Sequence, residues 1–282
     1  MKRALFAVLA VLAACRGGND KLDKPFLWSA EKDGVTTYLF GTMHMGVDPE
    51  QRLPDLVWSR LEAAKTFAME TDPNDVSKID FMRHDGKTLH EELGGVRWHR
   101  LQEMIGEQPA LRVDQMKPYI AATLVSSSGL PQTVPMDGVM LRHATQGHKP
   151  IVFLEPIETQ VTVIEKWLTT RTLGEMLDDV PDTTARTKRL LGAYVSGDER
   201  EIQRVTEDEH AVALKRGHTE AEYRDEMTDL LFRRNASWIP LIDRMHADGG
   251  GFVAVGTLHL VGPGSVLDLL RQRGYKVTRI TP

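Results

Sequence analysis

Two short apolar runs, one near each end of the chain, break at the same four-residue motif. Tyr38–Val47 (YLFGTMHMGV) breaks at Gly41-Thr42-Met43-His44, and Phe252–Val261 (FVAVGTLHLV) at Gly256-Thr257-Leu258-His259. Short apolar runs bounded by turn residues predict strands. The stretches after the two motifs also match. After His44 a loop leads to Leu53, Leu56, Val57, Leu61 and Ala64 at helical spacing, then to the apolar run Thr66–Glu70. After His259 a Gly/Pro loop leads to a helical stretch, Ser265–Arg273, and a strand-like one, Tyr275–Ile280. Each end therefore predicts strand, GTxH, loop, helix, strand. The first such unit is expected to be a parallel, right-handed βαβ crossover.

Ahead of the first motif, Phe26-Leu27-Trp28 and Val35–Phe40 are β-prone and flank Lys32-Asp33-Gly34, where Asp-Gly suits a hairpin turn. From Pro73 to about Leu130 the pattern turns helical and polar. Leu89–Leu93, Trp98–Ile105 and Val113–Val125 carry apolar residues three and four apart, punctuated by glycines. Asp137–Thr145 predicts a short helix. Pro150–Glu155 predicts a strand that ends in a carboxylate, as Thr66–Glu70 does. Ile157–Leu168, Thr184–Val195, Glu199–Ala213 and Glu222–His246 predict further helices; the last carries Arg234 and Asn235 at mid-length and Pro240, which should kink it. The expected fold is α/β: a central mixed sheet from two duplicated β-GTxH-α-β halves, with a large helical insertion at about 73–248.

Composition adds limits. The 282 residues are 41% hydrophobic and 27% charged, which is ordinary for a globular chain. A net charge of -5 gives no basic field for nucleic acid. The single cysteine excludes an intrachain disulfide and a Cys-based zinc site. Its position is informative. Met1-Lys2-Arg3 is basic, Ala4–Leu12 is apolar, and Leu12-Ala13-Ala14-Cys15 resembles a bacterial lipobox. Residues 1–14 read as a lipoprotein signal peptide, 15–25 as a lipidated Cys15 and tether, and 26–282 as one domain. Arg16 is not the aspartate that commonly retains such proteins in the inner membrane, so the expected location is the outer membrane, facing the periplasm.

Several catalytic motifs are missing: no GxSxG elbow, no HExxH and no Walker A loop. The paired GTxH motifs remain. Glycine permits a sharp turn and close backbone approach at a strand end. The histidine three positions on then projects from the sheet edge, where α/β proteins bind ligands. Two imidazoles and one carboxylate form a common catalytic metal shell with a place left for water. Glu70 is the expected third member, because its strand should lie beside that of His44; Glu155 is a second candidate. One strand-end histidine alone is more simply a loop residue bonded to its neighbours, but two in matched settings are hard to obtain that way. Apolar Phe232 and Trp238 flank Arg234 and Asn235, which places them near a buried edge. Glu155, Glu158 and Gln160 read most simply as helix-start polar residues.

These residues together resemble the TraB/PrgY/GumN family, to whose superfamily the animal Tiki proteases belong. The likeness rests on the two Gly-x-x-His motifs, Glu70, the segment GVMLRHATQGHKPIVFLEPIETQ, the helix LLFRRNASWIPLI and the closing VGTLHLVGPGSVLDLLRQRGYKV. It covers the chain from about Phe26 onward. It implies an α/β core with duplicated halves and, from the animal branch, metal-dependent proteolysis. His44, His259 and Glu70 would then hold a divalent ion (zinc, manganese or cobalt), with Arg234 and Asn235 lining the site. In Pro135-Met136-Asp137-Gly138 the order departs from the Gly-hydrophobic-Asp of the family, so no role carries over to Asp137. The expected substrate is a peptide or protein. The alternative is a lipoprotein that captures a peptide in the same cleft without cleaving it.

Overall fold

The computed structural model describes residues 21–282; the expected signal segment and Cys15 lie outside the described residues. Asp33 and Gly34, both at positive φ, close the hairpin between β1 (Leu27–Lys32) and β2 (Val35–Thr42). After α1 (Pro49–Arg52) and α2 (Asp55–Ala63) comes β3 (Phe67–Met69). The insertion comes next: α3 (Leu89–Ile105), α4 (Glu107–Val113), α5 (Pro118–Ser127), α6 (Met136–Gln146), then β4 (Ile151–Phe153). It continues through α7 (Ile157–Trp167), α8 (Thr170–Asp178), α9 (Val180–Ser196), α10 (Glu199–Lys215) and α11 (Glu220–Met227). A π-helical stretch, Thr228–Phe232, joins α11 to α12 (Arg233–Ala247). The chain closes with β5 (Phe252–Gly256), a 3-10 turn (Thr257–His259), α13 (Val266–Gln272) and β6 (Lys276–Arg279).

The differences from the expected elements have local causes. The two segments Leu89–Leu93 and Trp98–Ile105 form one element, α3, interrupted at Gly94 (φ 72°). Val113–Val125 divides into α4 and α5, because Lys117 is held extended by the following Pro118, which opens α5. The helix α8 has no counterpart among the expected elements. Pro240 lies inside α12, which runs on to Ala247. The run Phe252–Val261 leaves the ladder at Gly256 and winds into a 3-10 turn that ends at His259. Leu22 is buried, and its N–H donates to Arg52 O at 2.8 Å, so the packed structure starts ahead of Phe26.

The six strands form one mixed sheet in the order β4-β3-β5-β2-β1-β6. β4, β3, β5 and β2 are parallel neighbours; β1 pairs antiparallel with β2 and with β6. The strand of Glu70 therefore does not lie beside that of His44, as expected from the sequence. β5 is threaded between them, because the chain returns from the insertion into the gap left by the β2-α2-β3 crossover. Both GTxH strands are thus direct neighbours, with Thr42 opposite Gly256.

Close backbone approach holds the two motifs together. A Cβ on Gly41 would lie 2.8 Å from Thr257 Oγ1 and 3.2 Å from Thr257 Cα, so only glycine lets the motifs meet here. Thr257 Oγ1 then donates to Thr42 O at 2.9 Å. The main core buries Phe40, Phe67 and Phe252 across the sheet, with Trp238 from α12. A second apolar cluster, with Leu89, Trp98, Leu101 and Leu173, belongs to the insertion alone.

Candidate active site at the carboxyl edge of the sheet

The strand order sets out the candidate residues in a row along one edge: Glu155 after β4, Glu70 after β3, His259 after β5, and His44 after β2. The Glu155 N–H donates to Glu70 O at 3.0 Å, which extends the β3–β4 ladder and sets the two carboxylates side by side. The Gly256 N–H donates to Glu70 Oε1 at 2.7 Å, so the second motif's glycine binds the carboxylate next to it.

Arg234 ties the row together. Its Nε donates to both Glu155 oxygens, at 2.9 and 3.2 Å. Its Nη2 donates to Glu155 Oε1 at 2.6 Å and to Glu70 Oε2 at 2.8 Å. Its Nη1 donates to Leu230 O at 3.0 Å and to His259 Nε2 at 3.2 Å. All of the donors of the guanidinium fork are therefore engaged inside the protein. Leu230 lies in the π-helical stretch, an irregularity that recurs at functional sites. The Arg234 guanidinium also lies over the Trp238 ring, one helical turn on along α12, at 5.1 Å.

The two histidines differ. His259 is buried, 4.5 Å from the Trp238 ring. Asn235 donates through Nδ2 to Gly264 O at 3.0 Å, which turns its Oδ1 to accept the His259 Nδ1–H at 2.6 Å. With Arg234 donating to Nε2, the hydrogen bonds define a neutral, Nδ1-protonated ring. Burial lowers the His259 pKa to about 4. His44 instead has 69% of its side chain exposed and pairs through Nδ1 with Asp137 Oδ2 at 2.6 Å. The charge of Asp137, and then the hydrogen bond to it, raises His44 to about 9. Its Nε2 has no protein partner among the described residues.

The carboxylates are pushed apart. Burial works against the charge of Glu70, but His259, Arg234, His44 and the Gly256 N–H outweigh it and hold the carboxyl below its usual range; with His259 neutral, Arg234 and His44 are the lasting cations. Burial raises Glu155 above that range despite its bonds to Arg234. Asp137 is likewise opposed by burial and held low by His44 and Thr42.

The structure brings together Glu70, Glu155, Arg234, Asn235 and His259, with Gln160 also donating to Glu70 Oε2 at 2.8 Å. His44 stands at the same edge, one strand away, held by Asp137. Three partners are missed by the sequence pattern. Gln160 reads there as a helix-start residue, Trp238 as an ordinary apolar contact, and Asp137 as a departure from the family spacing. An acid in the first turn of a helix is the only sequence signal for Asp137, and it does not identify a partner.

The pH dependence of stability follows from the two imidazoles. His259, with a folded pKa near 4 against an ordinary 6.5, binds fewer protons folded than unfolded, so stability is lost as pH falls from about 6.5 to about 4. His44, raised to about 9, contributes stability below 6.5 that is lost as pH rises through 9. In the metal-free protein, His259→Gln should flatten the acid limb of Tm against pH, and His44→Gln the alkaline limb. Parallel acid limbs in wild type and His259→Gln would contradict burial as the cause.

An α/β protein with paired GTxH strands at one sheet edge, bound by a buried arginine and two carboxylates, is the class that this geometry defines. The chain belongs to the TraB/PrgY/gumN family, whose model matches residues 26–279. It is similar to YbaP of Shigella flexneri, 26% identical over 279 residues, covering 95% of this chain and 99% of that one. It is also similar to YbaP of Escherichia coli (strain K12), 27% identical over 242 residues, covering 83% of this chain and 87% of that one. No solved structure matches the chain.

Proposed function

We propose that the protein is a metal-dependent peptide or protein hydrolase, held by a lipid on Cys15 at the outer membrane and facing the periplasm. The observation that carries this reading is the row of Glu70, His259 and His44 at the carboxyl ends of three adjacent strands, with His259 Nε2 at 3.9 Å from Glu70 Oε1. The donor chemistry fits a divalent cation of the zinc, manganese or cobalt type: two imidazoles with Nδ1 already engaged, of which His44 would give up its Nε2 proton in favour of the ion, and an ionised carboxylate. When bound, the ion would polarise a carbonyl and lower the pKa of its water to about 7.

As placed, no group of three or more His, Cys, Asp or Glu side chains among the described residues is arranged to hold an ion. Arg234 gives the reason, since its N–H groups occupy His259 Nε2 and Glu70 Oε2. Binding requires that the Nη1 bond to His259 open while the bonds of Nε and Nη2 to Glu155 keep the guanidinium in place. The released Nη1–H is then a donor for the carbonyl oxygen or carboxylate of a substrate. Glu70 serves as ligand or general base. Capture of a peptide without turnover is the second reading, and one observation favours it: the buried cluster is fully hydrogen-bonded by its own residues.

Tag-free wild-type protein should take up a divalent ion at micromolar concentration, read by mass spectrometry of metal content. Failure to bind any divalent ion would remove the metal site and leave the capture reading. For the anchor, Cys15→Ser should move the protein from the membrane to the soluble fraction and abolish acylation. Unchanged fractionation with no acyl group on Cys15 would overturn the lipid anchor. Among the described residues no helix is long and apolar enough to cross a membrane.

A further inference from the structure

We infer that Asp137 is the positioning residue of His44, fixing the imidazole so that Nε2 is the nitrogen presented at the sheet edge. The role assigned to that nitrogen rests on the hydrolase reading; the orientation itself does not.

Exposure is what makes a partner necessary. An imidazole with 69% of its side chain exposed has little packing to hold it, and ring flips of an exposed histidine are fast. His259 needs no such help, being buried against Trp238 and bound to Asn235. Among the described residues His44 has one directional contact, Nδ1 to Asp137 Oδ2 at 2.6 Å. Asp137 can supply direction because it is itself fixed. Its side chain is 15% exposed, and its other oxygen accepts from Thr42 Oγ1 at 2.6 Å. Thr42 is the last residue of β2, and its carbonyl in turn accepts from Thr257 Oγ1 at 2.9 Å. The threonines of both motifs thus form a chain, Thr257 to Thr42 to Asp137 to His44, that ties the exposed ring to the sheet.

A carboxylate accepts but cannot donate, so Asp137 requires Nδ1 to carry its proton and leaves Nε2 as the outward nitrogen. A carboxylate or carbonyl behind the far nitrogen is the usual way in which a ligating histidine is oriented, and Asn235 stands in the matching place behind His259. The two partners are not equivalent. Asp137 gives His44 a charge-assisted bond suited to an exposed ring, whereas neutral Asn235 suffices where burial already restricts the ring.

The test uses Asp137→Ala and Asp137→Asn in otherwise unchanged protein. Nitrogen-15 spectra of the metal-free wild type should show a His44 Nδ1 proton shifted far downfield by its bond to a carboxylate. The Ala variant should lose that resonance. The Asn variant, which keeps an acceptor oxygen, should retain it at a smaller shift. Zinc affinity by calorimetry should fall about 10–100-fold in the Ala variant and recover partly in the Asn variant. Tm of both should fall by no more than in His44→Ala, so that both variants are folded under the conditions of measurement. An unchanged His44 spectrum in Asp137→Ala would overturn the inference. So would an Asn variant that loses zinc as completely as His44→Ala, which would make Asp137 a ligand. If the wild type binds no zinc, the hydrolase reading fails while the metal-free spectra still decide the positioning role.

Discussion

His44→Ala and His259→Ala should each lose divalent-ion affinity by more than about 100-fold, because residues standing behind such ligands are already worth about 10–100-fold. The two variants should differ in stability. His44 is exposed, so its removal should lower Tm only by what its pair with Asp137 contributes, and less than removal of His259 does. His259 is buried, and alanine there leaves Asn235 Oδ1 and an Arg234 N–H without their partner. Each unsatisfied buried group costs about 1–3 kcal/mol, so His259→Ala should be measurably less stable while still folded. Calorimetric titration with zinc and thermal melts of the same samples read both effects. Retention of wild-type affinity by either variant would remove that histidine from the site.

Arg234→Ala should be the most destabilising single change at the site. Arg234 and its partners Glu70 and Glu155 are all buried, with side-chain exposures of 9%, 10% and 4%. Deleting the arginine strands two carboxylates next to each other, and breaking a buried pair from one side costs about 3–5 kcal/mol. That is a large part of the total stability of a typical domain, about 5–15 kcal/mol. Lysine should not rescue it, since a single ammonium cannot reproduce the fork that spans Glu155 and Glu70. Urea unfolding of Arg234→Ala and Arg234→Lys at neutral pH measures this. A loss below about 1 kcal/mol for Arg234→Ala would show that the network is not structural. The sequence places Arg234 near the buried edge, and the family resemblance implies that it lines the site; the structure makes it first the counter-charge of the two acids.

The sheet edge is legible in the sequence because the motif is repeated. Each apolar run and its GTxH break indicate a strand end, and the helix and strand after each give a crossover. Strand order is not legible. Nothing in Phe252–Val255 says that β5 inserts between β2 and β3, since that depends on where the insertion returns the chain. Glu155 and Arg234 stand out as candidates, but their mutual bond joins residues 79 apart in sequence and is set by α12 packing on the sheet. Asp137 is invisible as a partner of His44 for the same reason: 93 residues separate them, and only the fold places α6 over the end of β2. Helix limits fail where one residue overrides the apolar spacing, as Gly94 does in α3 and Pro118 at the start of α5.

Peptide cleavage by the wild-type protein, before and after removal of divalent ions, tests the central claim most directly. Tag-free protein is incubated with a broad peptide library, the ion is stripped with a chelator that is then dialysed away, and the ion is added back. Cleavage should disappear on stripping and return on addition of zinc, manganese or cobalt, with His44→Ala and His259→Ala inactive throughout. A metal-loaded wild type that cleaves nothing in the library, or cleavage that persists unchanged in the stripped protein, would contradict the account.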